Sequence, residues 1–141
     1  MILGYGVKIF LVDLGQRGLY LRTNKSEAWQ KVGRGLSGLG QDWFGREMWL
    51  PALDVKNERY SNLHDIVVAG FLAALLQDSN PERSLMLSEA ARMSAIEHEG
   101  DLTKQPDRDD LRKTTEGNRE FLPLQLEKFG FREGSNGIWE R

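Results

Sequence analysis

The sequence predicts one α+β domain over residues 1–141, with a small mixed or antiparallel sheet. Three observations favour this class. Two β-type runs near the N-terminus flank a Gly-containing turn, an apolar segment of helical length lies mid-chain, and an Asn-Gly pair near the C-terminus separates two short apolar runs. At 141 residues the chain is long enough to bury a core of its own. We therefore expect an N-terminal hairpin, a buried central helix and a C-terminal helix–hairpin.

The N-terminal third predicts one hairpin and one short helix. The runs at 7–12 and 19–21 flank the turn at 13–18, which is typical of an antiparallel hairpin. Asn24, with Glu27 three residues later, is typical of a helix N-cap. Because four glycines follow between positions 33 and 40, we expect this helix to end near Val32. Its Trp29 falls on the apolar stripe and is predicted to be core.

The middle of the chain predicts one strand and two helices. Residues 48–55 are typical of a strand, which Pro51 would place at a sheet edge or a bulge. Residues 62–78, capped by Asn62, are apolar on nearly every face, which predicts the central buried helix. Asn80 and Pro81 suit the N-cap and first position of a second helix, which we expect to run to about residue 97 and stop before Gly100.

The last third is charged at first and apolar at its end. Residues 97–120 contain thirteen charged side chains and two large apolar ones, which predicts an exposed loop or surface helix. Residues 121–129 predict an amphipathic helix that ends at Gly130. Beyond it, Asn136 and Gly137 favour the tight turn of a closing hairpin.

The composition excludes several kinds of site. The chain has no Cys, which excludes a disulfide scaffold, a zinc ribbon, an iron–sulfur site and a thiol nucleophile. It has only two His, so we predict no His-rich metal site. The N-terminus lacks the basic and continuous apolar regions of a signal peptide, and the central helix is too short to span a bilayer. We therefore expect a soluble, cytoplasmic protein that does not enter membranes.

The net charge of −2 hides an asymmetry that suggests a binding function. Residues 1–60 carry a balance of +3 and residues 61–141 a balance of −5. The basic part contains three of the four Trp, and Trp and Arg are the residues that most often anchor protein interfaces. We predict partner binding through Arg34, Trp43, Arg46 and Trp49. A protein partner is favoured, nucleic acid could bind through residues 17–49, and the acidic tract 97–120 is a second candidate surface.

One motif suggests a different function. Gln30, Gly33 and Gly35 have the form Q-x-x-G-x-G, which resembles the pyrophosphate-binding loop of the GNAT acyltransferase superfamily. The end of the chain, from Phe129 to Arg141, is similar to the helix–strand close of that superfamily. The resemblance implies acyl transfer from acetyl-coenzyme A to an amine, with Gly33 and Gly35 at the pyrophosphate.

Two functional hypotheses therefore stand. The first is a small non-enzymatic interaction module of adaptor or inhibitor type, which binds a macromolecular partner and needs no cofactor. The alternative is an atypical GNAT-like acyltransferase that uses acyl-coenzyme A. The sequence leaves the catalytic residues and the oligomeric state open.

Overall fold

The computed structural model describes residues 2–54, 63–77, 79–101, 103–104, 106–116 and 120–141. Strands and helices are numbered here in chain order. The strands are β1 (Ile9–Asp13), β2 (Leu19–Thr23), β3 (Glu47–Leu50), β4 (Arg132–Glu133) and β5 (Trp139–Glu140), and the α-helices are α1 (Leu63–Leu75), α2 (Pro81–Glu97) and α3 (Arg108–Glu116). This content confirms the predicted α+β class. No described helix has the length and apolar character that crossing a membrane requires.

The five strands form one antiparallel sheet in the order β1-β2-β3-β5-β4. The predicted N-terminal hairpin is confirmed, with Leu11 paired to Leu21. Pro51 predicts an edge strand or a bulge, and the edge is wrong, because β3 pairs with β2 on one side and β5 on the other. The ladder ends at Leu50, so Pro51 lies outside it and its missing N–H costs no strand bond.

Helices α1 and α2 pack on one face of this sheet. The alternation of β2 and β3 turns their apolar side chains toward the helices, where they form the main core. This core contains Leu19, Leu21, Trp29, Leu39, Trp43, Met48, Leu50, Val67, Phe71, Leu75, Leu85 and Ile138. The other face of the sheet carries no α-helix among the described residues.

The more buried of these two helices is α2, which corrects the prediction for the central helix. Val68, Leu72 and Leu76 on the outer side of α1 are exposed, whereas eleven side chains of α2 are buried. Helix α2 can be buried although its sequence is not strongly apolar, because several of its buried side chains are small. The hydroxyls of Ser84 and Ser88 donate to the carbonyls one turn back, so burying them leaves no donor unsatisfied.

The predicted start and stop of α2 are confirmed. The Asn80 side chain accepts a hydrogen bond from the Arg83 N–H at 2.8 Å, and Pro81 occupies the first helical position. At the other end Gly100 has a φ of +74° and donates to the carbonyl of Ala95 at 2.8 Å. The predicted cap of α1, Asn62, lies outside the described residues.

Of the two short helices predicted outside the middle of the chain, the first is present and the second is wrong. Residues 26–31 form a helix of the 3₁₀ type with Val32 at its C-terminal cap, where the prediction ended it. Asn24 is not its N-cap, since Oδ1 accepts from the Lys25 N–H and Nδ2 donates to the carbonyls of Leu3 and Val7 at 2.9 Å each. Residues 121–126 lack helical structure, and Phe121 instead forms a bridge with Leu53. A short 3₁₀ helix, Glu127–Phe129, precedes Gly130, whose φ is +85°.

The C-terminal hairpin is confirmed at its turn. Asn136 and Gly137 have φ values of +60° and +73°, the left-handed conformations that a tight turn requires. Within the charged tract 97–120, α3 forms a surface helix that packs on α2.

Candidate functional site

The side of the sheet away from the helices carries a group of partly buried aromatic and charged side chains. In β1, β2 and β3 these residues alternate with the core residues, so the pleat brings them to one surface. We call this surface the aromatic face, and its members are Phe10, Tyr20, Arg22, Glu47 and Trp49. Over β5 the same side is covered, because Leu124, Leu126 and Phe131 pack there on Trp139. The aromatic face is therefore the open half of the sheet.

Three rings cross this face from strand to strand. The centroids of Phe10 and Tyr20 lie 6.5 Å apart, and those of Tyr20 and Trp49 lie 5.6 Å apart, both pairs edge to face. The row continues into the covered half, where the ring of Trp49 lies 6.1 Å from that of Phe131. Edge-to-face pairs fix the orientation of neighbouring rings. The face is thus preorganised rather than a set of loose side chains.

Glu47 holds the polar groups of the face in place. Its carboxylate accepts hydrogen bonds from the Tyr20 hydroxyl at 2.8 Å and from Arg141 Nη2 at 2.7 Å, and Arg22 Nε lies 3.9 Å away. Burial raises the pKa of the Tyr20 hydroxyl, and the bond to Glu47 raises this pKa further. The Arg141 guanidinium also lies 5.2 Å from the centre of the Phe131 ring. Two guanidinium groups thus face one carboxylate.

The β1–β2 turn lies at the edge of the aromatic face. The Trp49 indole N–H donates to the backbone carbonyl of Arg17 at 2.7 Å, which ties this ring to the turn. The Arg17 side chain itself is exposed. Arg22 and Arg141 both lie near the carboxylate of Glu47, which offsets part of their charge.

The structure corrects one of the four predicted binding residues. Trp43 is 1% exposed, and its indole N–H donates to the carbonyl of Ser79 at 3.0 Å. Its prediction as a surface anchor is therefore wrong, because a side chain in the core cannot reach a partner.

Arg46 is likewise engaged within the molecule. Its guanidinium bonds to Glu140, to Glu82 at 2.6 Å and to the Asp42 carbonyl at 2.9 Å. The bond to Glu140 is the main cause of a raised pKa at Arg46. Arg46 thus joins β3, β5 and α2, and its role in binding a partner stays a prediction. Of the other two predicted residues, Trp49 belongs to the aromatic face and Arg34 is exposed in a 3₁₀ turn, Arg34–Leu36.

The glycine loop that resembles a cofactor loop lies away from any long helix start. Gln30, Gly33 and Gly35 are exposed; Gln30 and Gly35 belong to consecutive 3₁₀ turns, and Gly33 directly precedes the second turn. A side chain added at Gly33 or Gly35 would meet no atom within 4 Å, so close packing does not explain these glycines. The described strands pair antiparallel throughout. The coenzyme A site stays a prediction.

Both histidines have local structural contacts. His64 Nδ1 lies 2.6 Å from Asp13 Oδ2 and links the start of α1 to the end of β1. His98 Nδ1 lies 2.8 Å from the carbonyl of Ser94, in the last turn of α2. Among the described residues no three His, Asp or Glu side chains are placed to hold a metal ion.

A cleft of about 630 Å³ opens between α2, α3 and the C-terminal hairpin. Four carboxylates line it, but three of them are paired with Arg side chains. Glu82 pairs with Arg46 at 2.6 Å, Glu89 with Arg92 at 2.6 Å, and Glu116 with Arg112 at 3.6 Å. With Arg83 also in the lining, the cleft has little net charge, so the aromatic face is the stronger candidate site.

The sequence predicted Trp49 as a binding residue and included Tyr20 only within the candidate segment 17–49, and it missed Phe10 and Arg141. Phe10 could have been found, because the alternation of residues 9–13 puts it on the same side as Arg22, its cross-strand neighbour. No pattern of neighbouring residues could have predicted Arg141, because its partner Glu47 lies 94 residues away in the chain.

Comparison with protein-family models, curated proteins and solved structures finds no match to this chain. The aromatic face therefore rests on its own geometry.

Proposed function

We propose that this chain is a non-enzymatic interaction module that binds single-stranded nucleic acid on its aromatic face. The observation that carries the proposal is the row of three partly exposed rings, Phe10, Tyr20 and Trp49, beside Arg side chains on an open sheet surface. Aromatic rings stack with unpaired bases, and neighbouring cations contact the phosphates. Open sheets that recognise RNA use two or three such rings.

The spacing of the rings favours single strands. Neighbouring centroids are 5.6 and 6.5 Å apart, whereas stacked bases of a duplex rise about 3.4 Å per step. Bases that contact successive rings must therefore leave their own stack. A duplex holds its bases together and presents only phosphates to this surface.

The charge of the face supports the same class of partner. The chain as a whole carries −2, so general attraction to a polyanion is absent. Arg22, on the same side of β2 as Tyr20, and Arg17, in the turn that contacts Trp49, supply the cations, whereas Arg141 is engaged by Glu47 and by the carbonyl of Phe129. If Arg17 and Arg22 each contact one phosphate of a single strand, the logarithm of affinity should fall with the logarithm of salt with a slope of about −1.4.

Fluorescence anisotropy of labelled oligonucleotides tests the proposal. We expect the full chain to bind single-stranded oligo-U and oligo-dT of about 12 nucleotides, a length within the site range of such surfaces, and to bind a duplex of the same length more weakly. Trp49→Ala should weaken binding about 5- to 150-fold, because stacking contributes about 1–3 kcal/mol per base. Arg22→Gln should weaken it with little effect on packing.

Tyr5→Ala is the matched control, since Tyr5 is an exposed aromatic outside the face. It should bind like the unmodified chain. The proposal is overturned if the folded protein, checked by circular dichroism, binds no single strand at low salt. It is overturned equally if Trp49→Ala and Arg22→Gln both bind unchanged, and a protein partner would then be the better explanation of this face.

A further inference from the structure

The row of rings on the aromatic face continues beyond Trp49. The Trp49 ring lies 6.1 Å from that of Phe131, but Phe131 is only 5% exposed. The guanidinium carbon of Arg141 lies over the Phe131 ring, 5.2 Å from its centre, and the Arg141 side chain is 47% exposed. A strand that follows the row beyond Trp49 therefore meets the Arg141 guanidinium in place of a fourth ring.

The Arg141 guanidinium is held in one orientation. Its Nη2 and Nε donate to the two carboxylate oxygens of Glu47 at 2.7 and 3.3 Å, and its Nη1 donates to the carbonyl of Phe129 at 3.0 Å. Its stem lies beside Gly130, where an added Cβ would be 3.3 Å from Arg141 Cδ. Because the N–H groups of a guanidinium lie in its plane, these hydrogen bonds occupy its edge and not its flat face.

We propose that the flat face of Arg141 is a fourth stacking position of the aromatic face, where it contacts one base of a bound single strand. This inference rests on the proposed function. A guanidinium plane stacks with unpaired bases as aromatic rings do, and its charge adds a cation–π attraction. Phe131 on one side of the guanidinium and a base on the other would enclose it between two π systems.

A stacking role and a phosphate contact have different requirements at position 141. A phosphate is bound by a positive charge with N–H groups, which Lys also supplies. Stacking requires a planar group, which Lys lacks. Arg141→Lys therefore separates the two roles, since it keeps the charge and removes the flat face.

Fluorescence anisotropy at low salt with two labelled strands of about 12 nucleotides tests the stacking position. One strand is oligo-dT, and the other is an abasic strand with the same number of phosphates. Arg141→Lys should bind oligo-dT about 2- to 30-fold more weakly than the parent, the range of a cation–π contact, and should bind the abasic strand like the parent. Arg112→Lys, the same change at an exposed Arg of α3, should bind both strands like the parent.

Tryptophan fluorescence shows whether the rings keep their positions in the variant. Trp29, Trp43 and Trp139 are at most 8% exposed, so quenching by bound bases reports on Trp49. At saturating oligo-dT, Arg141→Lys should show the same quenching as the parent, and its circular dichroism should be unchanged.

Three results would each overturn the inference. Arg141→Lys could bind oligo-dT unchanged, it could bind both strands more weakly by the same factor, or it could lose the quenching of Trp49, which would make Arg141 a positioning residue for the rings. In all three cases a parent that still binds oligo-dT through Trp49 leaves the proposed function intact. A parent that binds no single strand overturns both.

Discussion

At the scale of single residues, the buried pair of Glu89 and Arg92 ties three parts of the chain together. Their side chains are 1% and 2% exposed, and Arg92 donates from Nη2 and Nε to the two carboxylate oxygens at 2.6 and 3.1 Å. Glu89 also accepts from the Leu53 N–H at 3.0 Å, beyond the end of β3. Arg92 Nη1 lies 3.4 Å from the Gly15 carbonyl in the β1–β2 turn. Each charge is acceptable in the interior only because the other is present.

Removing one partner of this pair should therefore be costly. We expect Arg92→Met to lower the free energy of unfolding by about 3–5 kcal/mol, because it leaves Glu89 charged and buried without its cation. Urea unfolding followed by circular dichroism measures the loss. The exposed pair of Arg112 and Glu116 provides the control, where Arg112→Met should cost less than about 1 kcal/mol. Equal effects of the two substitutions would contradict this account.

At the scale of elements, the contact between α1 and α2 depends on a glycine. A Cβ atom added at Gly70 would lie 3.0 Å from Ala91 Cβ, 3.2 Å from Ser88 Cα and 3.3 Å from the Leu87 carbonyl oxygen. The two helices approach this closely because neither has a large side chain at the crossing. This close approach explains how α2 is buried against α1 despite its polar composition.

Gly70→Ala has two effects of opposite sign on stability. Alanine favours the helix by about 1 kcal/mol, whereas an extra methyl at a tight contact costs about 1–3 kcal/mol. Because two of the three contacts are to backbone atoms, we expect the crowding to win and the melting temperature to fall. Gly35→Ala, where an added Cβ meets no atom within 4 Å, should leave the melting temperature nearly unchanged. A Gly70→Ala variant more stable than its parent would disprove the close contact.

At the scale of the whole molecule, Trp43 connects the sheet, α1 and the segment before α2. Its ring lies 6.4 Å from that of Trp29 and 6.1 Å from that of Phe71, and its N–H reaches Ser79. Trp49, six residues later, lies on the opposite side of the sheet. Two tryptophans predicted as equivalent binding residues therefore have different roles.

Stability measurements should separate these roles. Trp43→Ala should lower the free energy of unfolding by about 3–5 kcal/mol, because it removes a large side chain from the core and leaves a cavity. Trp49→Ala should cost less, since its ring is partly exposed. Urea denaturation of both variants gives the comparison. Similar losses for the two would show that Trp43 does not occupy the core position described.

The sequence by itself determined the fold class and the features that depend on neighbouring residues. Alternation in β1 and β2 predicted the hairpin, Asn80 and Pro81 predicted the start of α2, and Asn136 with Gly137 predicted the closing turn. Each signal acts over a few residues, through strand pleating, a capping hydrogen bond or a left-handed φ. Such signals need no knowledge of the rest of the chain.

Only the tertiary structure decided which helix is buried and which side chains share a surface. Composition made α1 the more apolar helix, but the small side chains of α2 let it pack closely against α1, and the outer side of α1 stays exposed. The two acidic partners of Arg46, Glu82 and Glu140, lie far from it in the sequence, and the fold brings them to it. The aromatic face needs three strands and the last residue of the chain, with Arg141 and Glu47 separated by 94 positions. Its parts meet because the sheet brings distant segments together.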